Sequence, residues 1–278
     1  MPTIAEKRRT FRERHKSGCF VIPNPWDIGS ARYLQSLGFK ALATSSAAAA
    51  WSLGYADGQL PLQPMLDHIR NIAAATDLPL NADFLGGFAD APEGVAANVT
   101  RCIATGVAGL SIEDEITGTG RLYDLDLAVE RIRAARAAID AAGGDTLLVA
   151  RSEVYIIGHD EPLKEAIRRL TAFAEAGADC LFAPGISARD DIATLVSAVA
   201  PMPVNVVVRG TELTVADLAE IGVRRISAGG WLARTAWAGF ERAARDLAER
   251  GRFDAYATAF PGATLNAFFS ADAKQRRT

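Results

Sequence analysis

Short apolar runs alternate with longer amphipathic segments along most of the chain. Each run has the length of a buried strand, and the segments between them carry apolar residues at helical spacing, as in 124–143 and 161–177. Eight runs are predicted as strands: residues 19–25, 40–46, 78–84, 108–114, 146–153, 178–185, 203–209 and 224–230. The pattern therefore indicates a strand and a helix repeated eight times.

The joints between helices and strands share one device. Four of them read SLGFKAL, ATGVAGL, EAGADCL and EIGVRRI, each with the glycine that commonly ends a helix. Strand and helix alternation without a linker predicts an α/β fold, a (β/α)8 TIM barrel in a single domain over residues 1–278. An open doubly wound sheet is the alternative, but the GxGxxG fingerprint is missing after the first predicted strand.

Composition narrows the function classes. A net charge of -3 and a pI near 5.7 give no electrostatic case for binding nucleic acid or an anionic membrane. No run approaches the roughly 20 apolar residues of a membrane span. The basic start of the chain contains Glu6, spaced from Thr3 as in a helix capping box, so we interpret it as a first helix. Three widely spaced cysteines favour a reducing compartment, and we expect a cytoplasmic protein.

Polar side chains gather where several predicted strands end. Barrel active sites are built at the carboxyl ends of the strands, so these residues are candidates for chemistry. They are Thr44, Ser45 and Ser46 after the second strand, Asn81 and Asp83 on the third, Glu113, Asp114 and Glu115 on the fourth, Arg151, Ser152 and Glu153 on the fifth, and Asn205 and Arg209 on the seventh.

The carboxylates on the third and fourth strands suggest a cation site. Asp83 and Glu113 would repel each other at a narrow barrel mouth unless a cation lay between them. Oxygen-only ligands favour Mg²⁺ or Mn²⁺ over zinc. A structural ion pair between one of these acids and Arg151, with no metal, is the alternative.

An organic anion fits beside such a cation. The planar guanidinium of Arg151 suits a substrate carboxylate, and Ser45 and Ser46 offer small side chains and backbone amides to its other end. The serines are equally compatible with a tight turn. Asn205 is compatible with donating to substrate or with capping a loop.

Four ordered motifs, TSSAAAAWSLGYADG, NADFLGGFAD, GLSIEDE and VARSE, carry a resemblance to a known family. Within about residues 20–209 the chain resembles the isocitrate lyase and phosphoenolpyruvate mutase superfamily. The resemblance implies a barrel whose eighth helix is swapped between subunits of a homodimer or homotetramer. The helical tail, about residues 231–278, with its aromatic stretch FDAYATAFPGATLNAFFS, suits such a contact or packing on its own barrel.

The resemblance also implies roles for individual residues. It makes Asp83 and Glu113 the metal-associated carboxylates and places Asp57, otherwise an ordinary loop acid, beside the metal as a catalytic residue with Arg151. Ser45, Ser46, Arg151 and Asn205 would bind substrate. The implied enzyme is a Mg-dependent lyase that breaks a carbon–carbon bond of a small α-oxo or 2-hydroxy carboxylate through a metal-stabilised enolate.

The chain departs from the family pattern at three places. The lyases carry a KKCGH-like loop after the fourth strand, whereas this chain reads EDEITGTGRLYD, which leaves Tyr123 or water as a proton donor. Asn81 replaces the first acid of the usual DxD, and Pro184 replaces a glutamate on the sixth strand. The glycines of TGTG fit either a mobile lid or a plain turn.

Three other functions remain open at this point. Within the family, phosphorus–carbon chemistry on phosphoenolpyruvate or phosphonopyruvate is the alternative reaction. A phosphate-binding barrel would use Gly229 and Gly230 before a helix and need no metal. A non-catalytic paralogue would hold an oxo acid without turnover. His159, after the fifth strand, is interpreted as a helix-start residue.

Overall fold

The computed structural model describes residues 2–207 and 213–276. Its main sheet contains eight parallel strands: β1 (Phe20–Ile22), β2 (Leu42–Ala43), β3 (Leu80–Asp83), β4 (Gly109–Glu113), β7 (Leu147–Arg151), β8 (Cys180–Phe182), β9 (Val204–Val207) and β10 (Arg225–Ser227). A small antiparallel hairpin, β5 (Glu115–Ile116) and β6 (Arg121–Leu122), follows β4. All eight predicted strands are present, and Arg209 lies outside the described residues.

The strands close into a barrel. Their order is β1-β10-β9-β8-β7-β4-β3-β2, and the two end strands meet where the Ala43 N–H donates to the Pro23 carbonyl at 3.1 Å. At the same seam the Asn24 side chain donates to the Thr44 carbonyl at 2.8 Å and accepts from the Ala228 N–H at 3.0 Å. The predicted (β/α)8 barrel is confirmed.

Helices follow the strands in turn. They are α1 (Ile4–Lys16), α2 (Ile28–Ser36), α3 (Ser46–Ser52), α4 (Leu62–Ala75), α5 (Pro92–Ile103), α6 (Leu125–Ala141), α7 (Pro162–Glu175), α8 (Arg189–Ala198), α9 (Val215–Glu220), α10 (Trp231–Arg250) and α11 (Gly262–Gln275). The capping box predicted from Thr3 and Glu6 is present at the start of α1. Among the described residues, no helix is both long enough and apolar enough to cross a bilayer.

The barrel unit, residues 2–230, has two apolar layers. The larger one lies between strands and helices and includes Ile69, Val99 and Phe173. The smaller fills the lumen with side chains such as Val149 and with Phe11 from α1. Gly109 is required here, because a Cβ at this position would lie 2.7 Å from the Phe11 ring and 3.1 Å from a backbone oxygen.

The second compact unit is the helical tail from Trp231 onward, described to residue 276. It contains α10, a 3₁₀ turn (Asp254–Thr258) and α11. In α10 only Ala233 and Asp246 are buried, and α11 buries none of its described side chains. Large apolar side chains remain exposed along it, among them Trp237, Phe240, Phe253 and Phe260. The single-domain arrangement and the helix swap stay predictions.

Candidate active site

Arg151 lies at the centre of a cluster of acids at the carboxyl end of the barrel strands. Its Nη1 donates to Asp83 Oδ1 at 2.6 Å, and its Nη2 lies 3.1 Å from Glu113 Oε2. Glu153 Oε1 accepts from Nε at 2.9 Å and lies 2.8 Å from Nη2. Three acids from β3, β4 and the end of β7 therefore converge on one guanidinium, and we call Asp83, Glu113, Glu153 and Arg151 the acid cluster.

The geometry of β3, β4 and β7 explains why the cluster forms. Asp83 pairs in register with Ser111, and Glu113 pairs with Arg151, so these positions lie at the same end of the sheet. Side chains alternate along a strand, and those at the last inward positions of neighbouring strands meet over the lumen. The Arg151 guanidinium also lies 5.2 Å from the centre of the Phe182 ring on β8.

The loop after β2 holds Asp83 from the other side. The Ser46 N–H donates to Asp83 Oδ2 at 2.9 Å, and the Asp83 N–H donates to Thr44 Oγ1 at 2.8 Å. Ser46 Oγ lies 3.4 Å from Asp57 Oδ1, which joins the exposed Asp57 to the same site. Ser45 caps α3, since its Oγ accepts from the Ala48 N–H at 3.3 Å. The structure thus brings together Ser46, Asp57, Asp83, Glu113 and Arg151, with Ser45 adjacent in the chain.

Asp114 fixes the backbone beside the cluster. Its carboxylate accepts from Ser152 Oγ at 2.9 Å and from the Glu153 N–H at 2.8 Å, and it lies 3.3 Å from Arg169 Nη1. The same Arg169 nitrogen donates to the Tyr123 carbonyl at 3.0 Å. Asp114 and Arg169 therefore connect the ends of β4 and β7 to the base of the hairpin.

The electrostatics of the site show an excess of acid. Burial raises the pKa of Glu113 well above its usual range, with Arg151 opposing the shift. Burial likewise raises the pKa of Glu153 to about 7. The packing round the Asp57 carboxylate, followed by the charge of Asp83, raises the pKa of Asp57. Burial disfavours the charged form of Arg151, but Glu153, Glu113 and Asp83 outweigh it and raise its pKa.

Asn205 lies deeper than the acid cluster. On β9, 1% exposed, its amide donates to Ser227 Oγ at 3.1 Å and accepts from Arg225 Nε at 2.8 Å. The structure therefore does not bring Asn205 into contact with the acid cluster, and its role in binding substrate stays a prediction.

The TGTG segment forms the tip of the β5–β6 hairpin, next to the glycine loop after β3. In that loop Leu85 and Phe88 adopt positive φ angles of 48° and 57°, which are costly for residues with side chains. Arg131, 1% exposed, donates to the carbonyls of Gly86, Ala89 and Asp90 and holds this loop in place.

Tyr123 ties the hairpin to the glycine loop. Its hydroxyl donates to Asp90, its ring lies under the Arg131 guanidinium at 3.9 Å, and burial with the Asp90 contact raises its pKa to about 12. A cavity of about 510 Å³ is lined by Tyr123, by parts of both loops and by the loop containing Gly58.

Two other predicted features have local roles. His159 Nδ1 accepts from the Glu161 N–H at 3.1 Å just before α7 begins, which agrees with its interpretation as a helix-start residue. A Cβ built on Gly230 would lie 3.3 Å from the Trp51 ring, so this ring packs against the glycine pair considered for phosphate.

The acids fit a hard divalent cation in donor type and in charge. Asp57, Asp83, Glu113 and Glu153 offer only oxygen, and four carboxylates face one guanidinium. In the described parts of the chain no three His, Cys, Asp or Glu side chains already stand as a metal centre. Three of the acids, Asp83, Glu113 and Glu153, lie against Arg151 instead.

Sequence reasoning missed the partners that orient the site. Glu153 was noted only as a strand-end residue, and Arg169 lies in the middle of α7, where it reads as an ordinary helix charge. The Arg169 side chain is only 8% exposed, and this burial beside Asp114 is what identifies its role in orienting the site. The signal for Glu153 that the sequence offered was a single arginine, Arg151, next to several acids at neighbouring strand ends.

Comparison with known proteins agrees with this geometry. The sequence model of the family described as phosphoenolpyruvate phosphomutase matches residues 11–248. An oxaloacetate decarboxylase of Bradyrhizobium is 31% identical over 236 residues, covering 78% of each chain. A putative lyase/mutase of Burkholderia cenocepacia is 44% identical, with a TM-score of 0.90 and 96% of each chain covered.

A third relative is a lyase named for a substituted malate. The structure of 2,3-dimethylmalate lyase, described as a member of the PEP mutase/isocitrate lyase superfamily, is 28% identical, with a TM-score of 0.85 over 99% of this chain and 98% of its own. The match to the family model covers most of the sequence, and all four motifs lie within the matched range. The chain therefore belongs to the phosphoenolpyruvate mutase and isocitrate lyase superfamily.

Proposed function

We propose that the chain is a Mg-dependent lyase that cleaves or decarboxylates a carbon–carbon bond of a small α-oxo or 2-hydroxy carboxylate. The convergence of Asp83, Glu113 and Glu153 on Arg151 at the catalytic end of the barrel carries this proposal. Relatives named oxaloacetate decarboxylase and 2,3-dimethylmalate lyase support this class of reaction.

Each residue has a task in the proposed reaction. Arg151 binds a substrate carboxylate through its fork of N–H groups, and Glu153 fixes the Nε and Nη2 edge of that fork. The Ser46 N–H orients Asp83, and Ser45 and Ser46 at the start of α3 lie at the other end of the substrate. Asp57 bounds the site on the solvent side.

Asp83 and Glu113 would hold Mg²⁺ or Mn²⁺, with Asp57 beside it. A bound divalent cation stabilises the negative charge that develops on a substrate oxygen when the adjacent bond breaks. Both carboxylates lie against Arg151, so the residues that would hold the cation adjoin the guanidinium that would bind the organic anion.

Phosphorus–carbon chemistry is the second candidate function. The description of the matching family as phosphoenolpyruvate phosphomutase favours it. Both reactions use a small oxo acid and a cation, so the products must separate them.

A turnover screen tests the proposal. The purified protein is assayed with oxaloacetate, alkylmalates, methylisocitrate and phosphonopyruvate, with Mg²⁺ and in excess chelator. We expect Mg-dependent formation of a 2-oxo acid from one of the carbon–carbon substrates. Removing Asp83 or Arg151 by alanine substitution is expected to reduce catalytic efficiency about a hundredfold or more, since each contacts the reacting site.

The control is Asp67→Asn, which removes an acid that pairs with Arg70 on the surface of α4. It should retain wild-type activity. Phosphate release from phosphonopyruvate would favour the second candidate. Equal turnover in chelator would remove the role of the metal, and tight oxalate binding without any turnover would indicate a non-catalytic binding protein.

We also propose an assembly of two or four chains and a cytoplasmic location. The exposed apolar side chains of the tail support the assembly. The unpaired Cys19, Cys102 and Cys180 support a reducing compartment. A small carboxylate is the proposed partner, and the charge of the chain gives no reason to add nucleic acid or a membrane.

A further inference from the structure

Arg225 places a positive charge inside the barrel, below the acid cluster. The residue is on β10 and is 3% exposed. Its Nε donates to Asn205 Oδ1 at 2.8 Å, and its Nη1 lies 3.3 Å from Asn81 Oδ1. Since β10 and β3 are not neighbours in the sheet, the guanidinium spans the lumen.

Two neutral amides, not carboxylates, hold this guanidinium. Over residues 2–207 and 213–276 no carboxylate forms an ion pair with Arg225. A buried charge without an opposite partner costs several kcal/mol, so such arginines are nearly always paired. A fold that only needed to fill this space would do so at lower cost with an apolar side chain, as Val149 does nearby in the lumen.

The acid cluster lies one layer above Arg225. Asn81 is two residues before Asp83 on β3, and two residues of a strand rise about 6.6 Å toward the mouth. Asn205 and Arg225 are paired in register on β9 and β10. Arg225 therefore forms the floor beneath a cluster in which acids outnumber Arg151.

The choice of amides leaves the charge of Arg225 unneutralised. A carboxylate at position 81 or 205 would form a buried ion pair and cancel most of its field. An amide accepts the same hydrogen bond and cancels little of it. The field of Arg225 therefore extends to Arg151, the cationic member of the acid cluster in the layer above.

We propose that Arg225 is a specificity-determining residue, a fixed positive charge beneath the acid cluster that favours ligands with two negative charges over ligands with one. This inference rests on the proposed function in taking the ligand to be a small carboxylate. Arg225 acts through space and through its two amide partners without touching the ligand. The chain is thereby suited to dicarboxylates.

Two ligands of nearly equal size test the charge preference. Oxalate carries two negative charges and glyoxylate carries one, and both have two carbons. Affinities are measured by calorimetry in the presence of Mg²⁺ for the full chain and for Arg225→Gln. We take an effective dielectric near 20 and a separation of about 8 Å between the Arg225 guanidinium and the ligand. Loss of the Arg225 charge should then reduce the preference for oxalate over glyoxylate about tenfold or more.

Three further variants separate charge from structure. Arg225→Lys keeps the charge and should keep the wild-type preference. Asn81→Asp places a carboxylate beside Arg225 and cancels its charge while leaving Arg225 in place. It should therefore act like Arg225→Gln, and it provides the test if Arg225→Gln does not fold. Arg224→Gln is the matched control, because this arginine immediately precedes Arg225 and its guanidinium contacts the Gly18 carbonyl. Its loss should leave the preference for oxalate over glyoxylate unchanged.

A second measurement does not depend on the organic ligand. Mn²⁺ binding to the acid cluster, followed by electron paramagnetic resonance without any organic acid, should become about tenfold tighter or more in Arg225→Gln and remain unchanged in Arg224→Gln. If the wild type binds neither acid but this shift is seen, the charge effect stands and the proposed function fails.

The opposite results would overturn the inference. If oxalate binds the wild type well but neither the oxalate preference nor Mn²⁺ affinity changes in Arg225→Gln and Asn81→Asp, Arg225 has only a structural role. Equal weakening of both acids without a change in their ratio would give the same conclusion. A wild type that binds no acid and no Mn²⁺ would also reject it, since there would be no site for the charge to act on.

Discussion

At the scale of single residues, burial keeps the imidazole of His15 in its neutral form. His15, on α1, lies against Phe11 and Phe20 with ring centres 4.6 Å and 5.2 Å away. Its Nδ1 lies 2.8 Å from the Phe11 carbonyl. Burial, followed by the charge of Arg225, lowers the pKa of His15 to about 3. The imidazole is therefore neutral in the folded protein.

This neutral imidazole makes stability depend on pH. The unfolded chain binds a proton near pH 6.5 but the folded one does not until about pH 3, so stability is complete above 6.5 and falls below it. Between pH 7 and pH 5 the wild type should lose about 2 kcal/mol more than His15→Gln. Urea unfolding at both pH values measures this difference. Parallel losses in the two proteins would contradict it.

At the scale of elements, the β5–β6 hairpin is held at its base more firmly than a glycine-rich segment suggests. The Tyr123 N–H donates to the Asp114 carbonyl at 2.9 Å, and Arg169 bonds the Tyr123 carbonyl. Asp90 accepts from the Tyr123 hydroxyl. These contacts give Tyr123 a structural task, and its proton is committed to Asp90.

We therefore expect Tyr123→Phe to retain catalysis. Its turnover rate should stay within about threefold of the wild-type rate, while unfolding becomes easier by about 1 kcal/mol from the lost hydrogen bond. Tyr155→Phe is the control, because among the described residues the Tyr155 hydroxyl has no hydrogen-bond partner, and its removal should not lower stability. If turnover in Tyr123→Phe instead fell about a hundredfold or more, Tyr123 would be identified as the proton donor.

The sequence predicted the barrel strands better than it predicted the hairpin. Most of the barrel strands are buried on both faces, as β4 is, so they leave apolar runs such as residues 146–153 around β7. Strands β5 and β6 have two residues each and are only partly buried, so neither leaves an apolar run. The glycines at 118 and 120 were visible, but their φ angles of 75° and 65° at a hairpin tip were not.

The sequence predicted which residues belong to the site but not which of them contact one another. Residues at the ends of β3, β4 and β7 were found because barrel topology assigns those ends to one mouth. That Arg151 would contact three acids, and that Asn205 would turn to Arg225, depends on distances across the lumen. No spacing in the sequence encodes those distances.

At the scale of the whole molecule, the tail has more apolar surface than a solvated helix needs. Trp237 and Phe240 on α10 are 47% and 62% exposed, and their rings lie 5.3 Å apart. Exposed aromatic patches of this kind are typical of contacts between proteins. We infer that a second copy of the chain covers them.

Light scattering after gel filtration tests this assembly. The wild type should elute as a dimer or tetramer, and Trp237→Glu combined with Phe240→Glu should shift it toward smaller species. Arg242→Glu, an exposed position on the same helix, changes the net charge by the same amount and should leave the mass unchanged. A monomeric wild type would refute the assembly.

The way the barrel closes gives it a preferred point of opening. In the described residues the joint between β1 and β2 depends on one main-chain hydrogen bond, from Ala43 to Pro23, and on the amide of Asn24. Local fluctuations start where the fewest bonds must break, so the Ala43 amide should exchange with deuterium earlier than those inside β4 or β7. Ser45 and Ser46 come just after this joint in the chain. A ligand that orders them should slow deuterium exchange at the Ala43 amide without contacting the joint between β1 and β2.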